Sequence, residues 1–90
     1  VQSKNLSKAQ LAYMAAIKGL PCGVCDAPAP SEAHHIQPKL HYITIPLCAE
    51  CHRSDKDGIH GARMNWKFFK KTELSVLNDT IERWTNEDNS

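Results

Sequence analysis

Two cysteine pairs carry the clearest chemistry in this sequence. Cys22/Cys25 and Cys48/Cys51 each have Cys-x-x-Cys spacing, and 22 residues separate the pairs. Thiolates spaced this way grip one ion from a single turn, and two such grips supply the four sulfurs of a closed tetrahedral Zn2+ site. Two disulfides are the alternative reading, suited to a secreted chain. No apolar run is long enough to span a bilayer and no secretory signal pattern is read at the start. The expected setting is therefore the cytoplasm, without a membrane partner, and structural zinc is favoured over disulfides. The spacer slightly exceeds the usual zinc-ribbon range, so an extra element is expected between the two halves.

The histidines ask for a second explanation. His34, His35, His41 and His52 lie within or directly after the cysteine span, and His60 follows closely. A zinc held by four thiolates needs none of them. A metal between His34 and His52 would polarise a phosphate and stabilise a departing oxyanion. Adjacent residues on a strand face opposite ways, which allows His34 to bind metal while His35 points elsewhere; a twist would bring both to one cleft. A neutral His35 would then take the proton of an attacking water. The plainer reading of His34 and His35 is a pair of hydrogen-bonded structural histidines.

Charge leaves the partner open. The net charge is only +1, but residues 1–72 hold ten Lys/Arg against five Asp/Glu, whereas residues 73–90 hold one Arg against five acids. A mildly basic body with an acidic tail suits a polyanion without demanding one. Lys67, Lys70 and Lys71 form a basic cluster that reads equally as a solvated face or as phosphate contacts. With Arg53, they are the candidate nucleic-acid-binding residues. Trp66, Phe68, Phe69 and Trp84 read as core rather than as base-stacking groups.

The elements that must position these groups fit one domain over residues 1–90, its core at about 20–62 and flanking helices at about 7–19 and 62–85. Ser7 with Gln10 forms a capping-box pattern, and Leu11, Met14, Ala15 and Lys18 follow at helical spacing, with Ile17 and Leu20 widening the face. Lys4, Lys8 and Lys18 add a basic edge. Gly19 and Pro21 stop the helix. Pro21-Cys22-Gly23-Val24-Cys25 reads as a knuckle in which Gly23 lets backbone amides turn toward sulfur. Ala33–Ile36 and His41–Leu47 read as a two-stranded ribbon, with Ile43, Ile45 and Leu47 on one side. Cys48–Arg53 enters a short helix or turn, and Gly58 and Gly61 bracket a bend. Ala62–Lys71 is expected to be helical with Met64, Phe68 and Phe69 inward. Thr72 caps a last helix whose Leu74, Leu77, Ile81 and Trp84 share a face, and residues 86–90 are expected to fray.

Taken in order, Leu20-Pro21-Cys22, Ala33-His34-His35-Ile36, Thr44-Ile45-Pro46-Leu47-Cys48, Cys51-His52-Arg53 and Gly58-Ile59-His60-Gly61 resemble the zinc-containing HNH endonucleases. Among these, the chain is most similar to the Ref-type, RecA-dependent nucleases of phage and prophage. The resemblance covers roughly residues 7 to 84. It implies a small α+β fold of the ββα-metal (His-Me finger) type, a hairpin and helix stapled by four-Cys zinc. It implies His35 as general base, with His34 and His52 binding the catalytic ion, taken to be Mg2+ or Mn2+, and His60 as a further ligand or phosphate contact. It also implies DNA as substrate and a RecA nucleoprotein filament as partner. The asparagine that gives the family its middle letter is missing from the segment leading to Pro46, where His41, Tyr42 and Thr44 stand instead; His41 is expected to brace the loop in its place. Two functions of different class fit these residues: a metal-dependent endonuclease, or a non-catalytic zinc module that binds nucleic acid or protein.

Overall fold

The computed structural model describes residues 6–89, so Lys4 of the expected basic edge and Ser90 lie outside the described residues. Six elements follow in chain order: α1 (Lys8–Lys18), β1 (Glu32–His35), β2 (Thr44–Leu47), α2 (Ala49–Arg53), α3 (Met64–Phe68) and α4 (Glu73–Asn89). They make a small α+β fold, a two-stranded antiparallel hairpin with helices around it. No helix among the described residues is long and apolar enough to cross a membrane.

α1 begins with the capping box expected from its sequence. The Ser7 hydroxyl accepts from the Gln10 amide at 3.0 Å and the Gln10 side chain accepts from the Ser7 amide at 2.8 Å. Two of the first turn's orphan donors are thereby satisfied. The helix buries Ile17, and Leu20 follows it inward, whereas Leu11 stands exposed. The hydroxyl of buried Ser31 donates to the Leu20 carbonyl at 2.6 Å, and the Ser31 amide to the Lys18 carbonyl at 2.8 Å. This latch ties the end of α1 to the start of the hairpin.

β1 and β2 pair in the register Glu32 to Leu47, Ala33 to Pro46, His34 to Ile45 and His35 to Thr44. The strand expected from His41 is shorter, because His41, Tyr42 and Ile43 belong to the turn. In β2 all four residues are buried, not alternate ones. Helices α1 and α4 both pack against the strand, and a strand covered on both faces loses the inside-outside alternation.

The core gathers Val24, Ile45, Leu47, Ile59, Trp66 and Val76 around Cys22 and Cys51. Three expectations about its makeup are corrected. The helix expected at Ala62–Lys71 contracts to the five residues of α3, of which Trp66 alone is buried; Met64, Phe68 and Phe69 are exposed. So short a helix has one inward position, and Trp66 holds it by donating its indole N–H to the Cys51 carbonyl at 2.9 Å. In α4 the buried residues are Val76 and Thr80, with Leu77 partly covered, while Leu74 is 71% exposed and Ile81 is exposed. Trp84 is half-buried, its ring edge-on to Tyr13. The expected fraying at 86–90 is also not seen over its described part, since α4 runs to Asn89.

Gly23 explains the choice of face on α4. It has no positive φ, so the freedom expected of it is not what the knuckle uses. A Cβ there would sit 2.4 Å from Val76 Cγ1. The glycine is a contact surface that lets α4 come close, and a close helix presents its small residues. Thr80 satisfies its own hydroxyl on the Val76 carbonyl at 2.7 Å.

Candidate metal centres

The four cysteines converge from the knuckle after α1 and from the start of α2, with their sulfurs all within 4.8 Å of one another. Cys25 Sγ and Cys48 Sγ are 3.7 Å apart. Zn–S bonds of about 2.3 Å at tetrahedral angles put sulfurs about 3.8 Å apart. All four thiols are free. Backbone amides point at them: Val24 donates to Cys22 Sγ and Cys51 to Cys48 Sγ, each at 3.4 Å. The Asn65 side chain donates to Cys51 Sγ at 3.5 Å.

Ionisation is shared unequally across this cluster. At Cys22 burial opposes the thiolate, but amides from Cys25, Cys48 and Val24 outweigh it and lower the pKa. Burial raises Cys25 to about 11, with the negative charge of Cys22 adding to the shift. Cys51 is raised further, again chiefly by burial. Four thiolates cannot coexist here without a cation, and a divalent ion is what the donor set fits.

A second cluster lies on the other side of α2. His34 on β1, His52 on α2 and His60 on the following loop each place a ring nitrogen within 4.8 Å of the others. Their ring centroids are 5.0, 5.2 and 5.1 Å apart, close to an equilateral triangle. His60 reaches it because the loop folds back on α2: the Ile59 amide donates to the Cys51 carbonyl at 2.9 Å and the His60 amide to the His52 carbonyl at 3.4 Å. Buried Ile59 anchors that loop, and Gly58 lets it pass, since a Cβ there would meet the Ser54 carbonyl oxygen at 2.6 Å.

Two carboxylates stand behind these rings. His34 Nε2 lies 2.7 Å from Glu73 Oε2, and His52 Nδ1 lies 2.8 Å from Glu32 Oε1. A carboxylate accepts, so each of those nitrogens carries the proton in the neutral ring. The remaining lone pairs, on His34 Nδ1 and His52 Nε2, then face each other at 3.2 Å. Two lone pairs at that distance repel unless a cation lies between them. Two nitrogens bound to one Zn2+ at about 2.0–2.1 Å sit about 3.3–3.4 Å apart at the tetrahedral angle. Histidine ligands backed by carboxylates are the usual second layer of such sites.

The electrostatics agree with a neutral ring at His34. Burial, and then the neighbouring histidines, lower the pKa of His34 against the opposing pull of Glu73. Glu32 is held down to about 2, first by Arg53 and then by His52. The Arg53 guanidinium clamps Glu32 with Nε donating at 2.9 and 3.1 Å and Nη2 at 2.6 Å. Arg53, expected to contact nucleic acid, is thus occupied in holding the carboxylate that orients His52.

Comparison with protein-family models, with curated proteins and with solved structures finds no match.

His35 is not in the three-histidine cluster. It faces the opposite side of β1, where its Nε2 lies 3.2 Å from His41 Nδ1. Burial, followed by the charges of His41 and His34, lowers its pKa, which favours the neutral, proton-accepting ring. The turn residue His41 braces it, and the Thr44 hydroxyl in turn donates to the His41 carbonyl at 2.7 Å.

The expected Mg2+ or Mn2+ is a poor match to the cluster. Three imidazole nitrogens suit Zn2+, Ni2+ or a similar transition ion, whereas Mg2+ takes oxygen ligands and Mn2+ binds most weakly in its series. Lys67, Lys70 and Lys71 line an open groove with Arg63, and Glu73 lines the same groove. Lys71 also pairs with Asp79 at 3.3 Å. Glu32 carried a faint sequence signal, because it shares a strand face with His34 two residues on. Glu73, 39 residues from its partner, carried none.

Proposed function

We propose that this chain is a metal-dependent nuclease of the HNH type that hydrolyses DNA phosphodiester bonds, with a zinc ion in the four-cysteine cluster as its structural staple. The observation that carries the reading is the contrast between the two clusters. Four sulfurs close a site, as structural zinc requires; three imidazoles leave a fourth position open, as hydrolytic metal sites do. A bound transition ion there would polarise a phosphate oxygen and stabilise the charge on the leaving oxygen.

The chain's own groups supply the rest. His34, His52 and His60 would hold the ion, while Glu73 and Glu32 fix the tautomers of His34 and His52. Arg63, Lys67 and Lys70 offer cations to the phosphates beside Glu73. His35, neutral and braced by His41, is assigned the proton of the attacking water, so that the new P–O bond forms as the bond to the leaving oxygen breaks. This assignment rests on the resemblance, because the His35 ring packs against His41 on the face of β1 away from the three-histidine cluster. As the resemblance to Ref-type nucleases implies, the proposed setting is phage or prophage recombination in the reducing cytoplasm, with a RecA filament as partner.

The test is cleavage of plasmid and single-stranded DNA with Zn2+, Ni2+, Mn2+ or Mg2+, with and without a RecA filament. His60→Ala and His35→Ala, each with one zinc retained, are assayed beside it. Cutting that is lost in both variants is the expected result. Cutting that does not need the filament would remove the partner and keep the chemistry. Well-folded His35→Ala that cuts normally would remove the proton acceptor. No cutting with any metal, with one ion bound per chain, would leave a non-catalytic zinc module.

A further inference from the structure

The groove beside the histidine cluster has a composition that phosphate binding alone does not explain. It is open, about 740 Å3 in volume, and Arg63, Lys67, Lys70 and Lys71 supply its charge. Ile59, Trp66 and Leu74 give it an apolar lining. Among the described residues, no carboxylate lies within ion-pair distance of Lys67 or Lys70. Between those two lysines come Phe68, 76% exposed, and Phe69, their rings edge-on with centroids 4.9 Å apart. Neither ring belongs to the groove's own lining; Phe69 is more than half covered, whereas Phe68 keeps most of its surface in water among the described residues, beside the groove-lining Lys67.

The backbone adds an independent sign. Arg63 and Lys70, at the two ends of α3, have left-handed φ values of 60° and 57°. Lys70 occupies the position after the helix cap where glycine is strongly preferred: its amide donates to the Lys67 carbonyl at 3.2 Å, and the Lys71 amide to the Trp66 carbonyl at 2.9 Å. A side chain there costs free energy relative to glycine. Asp26 and Lys39 also take left-handed φ values, 64° and 73°, outside this groove; Arg63 and Lys70 are the two that line it, and both are cations. Strain kept at a charged side chain points to a use for the charge.

Cations that follow a backbone, with exposed aromatic rings between them, are the equipment of single-strand binding. A duplex offers its phosphates but hides the faces of its bases. We propose that this groove binds a single-stranded stretch of nucleic acid, its phosphates on Arg63, Lys67 and Lys70 and a base stacked on Phe68. The proposal deepens the nuclease reading, since Glu73 places the bound strand beside His34, and for that role it rests on that reading. The recognition chemistry is shared by DNA and RNA strands.

The test is fluorescence anisotropy with labelled oligothymidylate, oligouridylate and a hairpin duplex of equal nucleotide count. The zinc-loaded protein is used without a second metal, so that binding is read apart from cutting. Tighter binding of either single strand than of the duplex is expected, and the two oligonucleotides tell which sugar is taken. Phe68→Ala should weaken single-strand binding about 5- to 100-fold and leave duplex binding unchanged. Lys70→Gly should melt at a higher temperature yet bind more weakly, a pair of effects that loss of fold cannot produce. Neutralising three phosphates should give a salt slope of about −2 on logarithmic axes. Equal affinity for strand and duplex, or unchanged single-strand affinity in Phe68→Ala and Lys70→Gly, overturns the proposal. If cutting survives while the groove variants bind normally, the groove falls alone; if strand binding holds and no metal supports cutting, the nuclease reading falls alone.

Discussion

Replacing Glu73 by Gln isolates the carboxylate behind His34 without changing the size of the side chain. Glu73 accepts the Nε2 proton of His34 at 2.7 Å, which leaves the Nδ1 lone pair for an ion and raises its basicity. Losing such a partner weakens metal binding roughly 10- to 100-fold. With metal at one hundred times the wild-type Kd, binding stabilises the native protein by about 2.7 kcal/mol. The same concentration is only ten times to once the Kd of the variant, and stabilises it by about 1.4 to 0.4 kcal/mol. At roughly 4–8 °C per kcal/mol for a domain of this size, the rise in Tm on adding Zn2+ or Ni2+ should shrink by at least roughly 5 °C. The rise must be compared rather than Tm itself, because Glu73 also opens α4 and its charge there is worth about 0.3–1 kcal/mol without any metal. The assay is thermal unfolding of protein already holding one zinc, titrated with a second metal. A full wild-type rise in Glu73→Gln would refute the carboxylate's role, and no rise in wild type would refute the histidine site.

Three further outcomes are expected. Chelating the ion of the four-cysteine cluster should abolish the cooperative unfolding transition, because Cys22 and Cys51 sit inside the core and small zinc domains fold with their metal; calorimetry of stripped protein checks it. Gly23→Ala should cost about 1–3 kcal/mol of stability by overpacking against Val76 Cγ1, 2.4 Å from the new Cβ. A double-mutant cycle with Val76→Ala should recover part of that loss. Stability in urea should fall as the pH drops below 6.5, because the folded pKa values of His34 and His35 lie below that value and the unfolded chain then binds the extra protons; below pH 4.5 Glu32, held down to about 2, should carry the fall further. Stability that rises on acidification through this range would reverse the sign and remove the argument.

Local chemistry was legible in the sequence, and contacts between distant segments were not. The capping box at Ser7, the knuckles and the hairpin follow from residues a few positions apart, as does the cap of α4, where Thr72 Oγ1 accepts from the Ser75 amide at 3.1 Å. Size alone puts the large apolar side chains of α3 and α4 inward; this holds for Trp66 and in part for Leu77, and fails for Phe68, Phe69, Leu74 and Ile81. At α4 the closeness set by Gly23 favours Val76 and Thr80 over Leu74 and Ile81, and no helical period encodes a glycine fifty residues away. At α3 one indole fills the single inward position and leaves the phenyl rings outside. The pairing of Glu73 with His34 depends on where α4 begins relative to β1, which only the assembled fold decides.

The two clusters are mechanically one device because α2 belongs to both. Cys51 is buried toward the sulfurs, and the next residue, His52, turns toward the other histidines. The carbonyls of these same two residues receive the amides of Ile59 and His60, so the loop that delivers the third imidazole is aligned by the helix that the sulfurs hold. The Cys51 carbonyl also takes the indole N–H of Trp66, which seats α3 and the groove beside it. An ion in the cysteine cluster would therefore act on the histidine site through α2 without touching it. Losing one sulfur should weaken metal binding at the histidines. Losing His60 should leave the cysteine cluster intact, because nothing in the core leans on that exposed ring. This asymmetry separates a support from the site it supports.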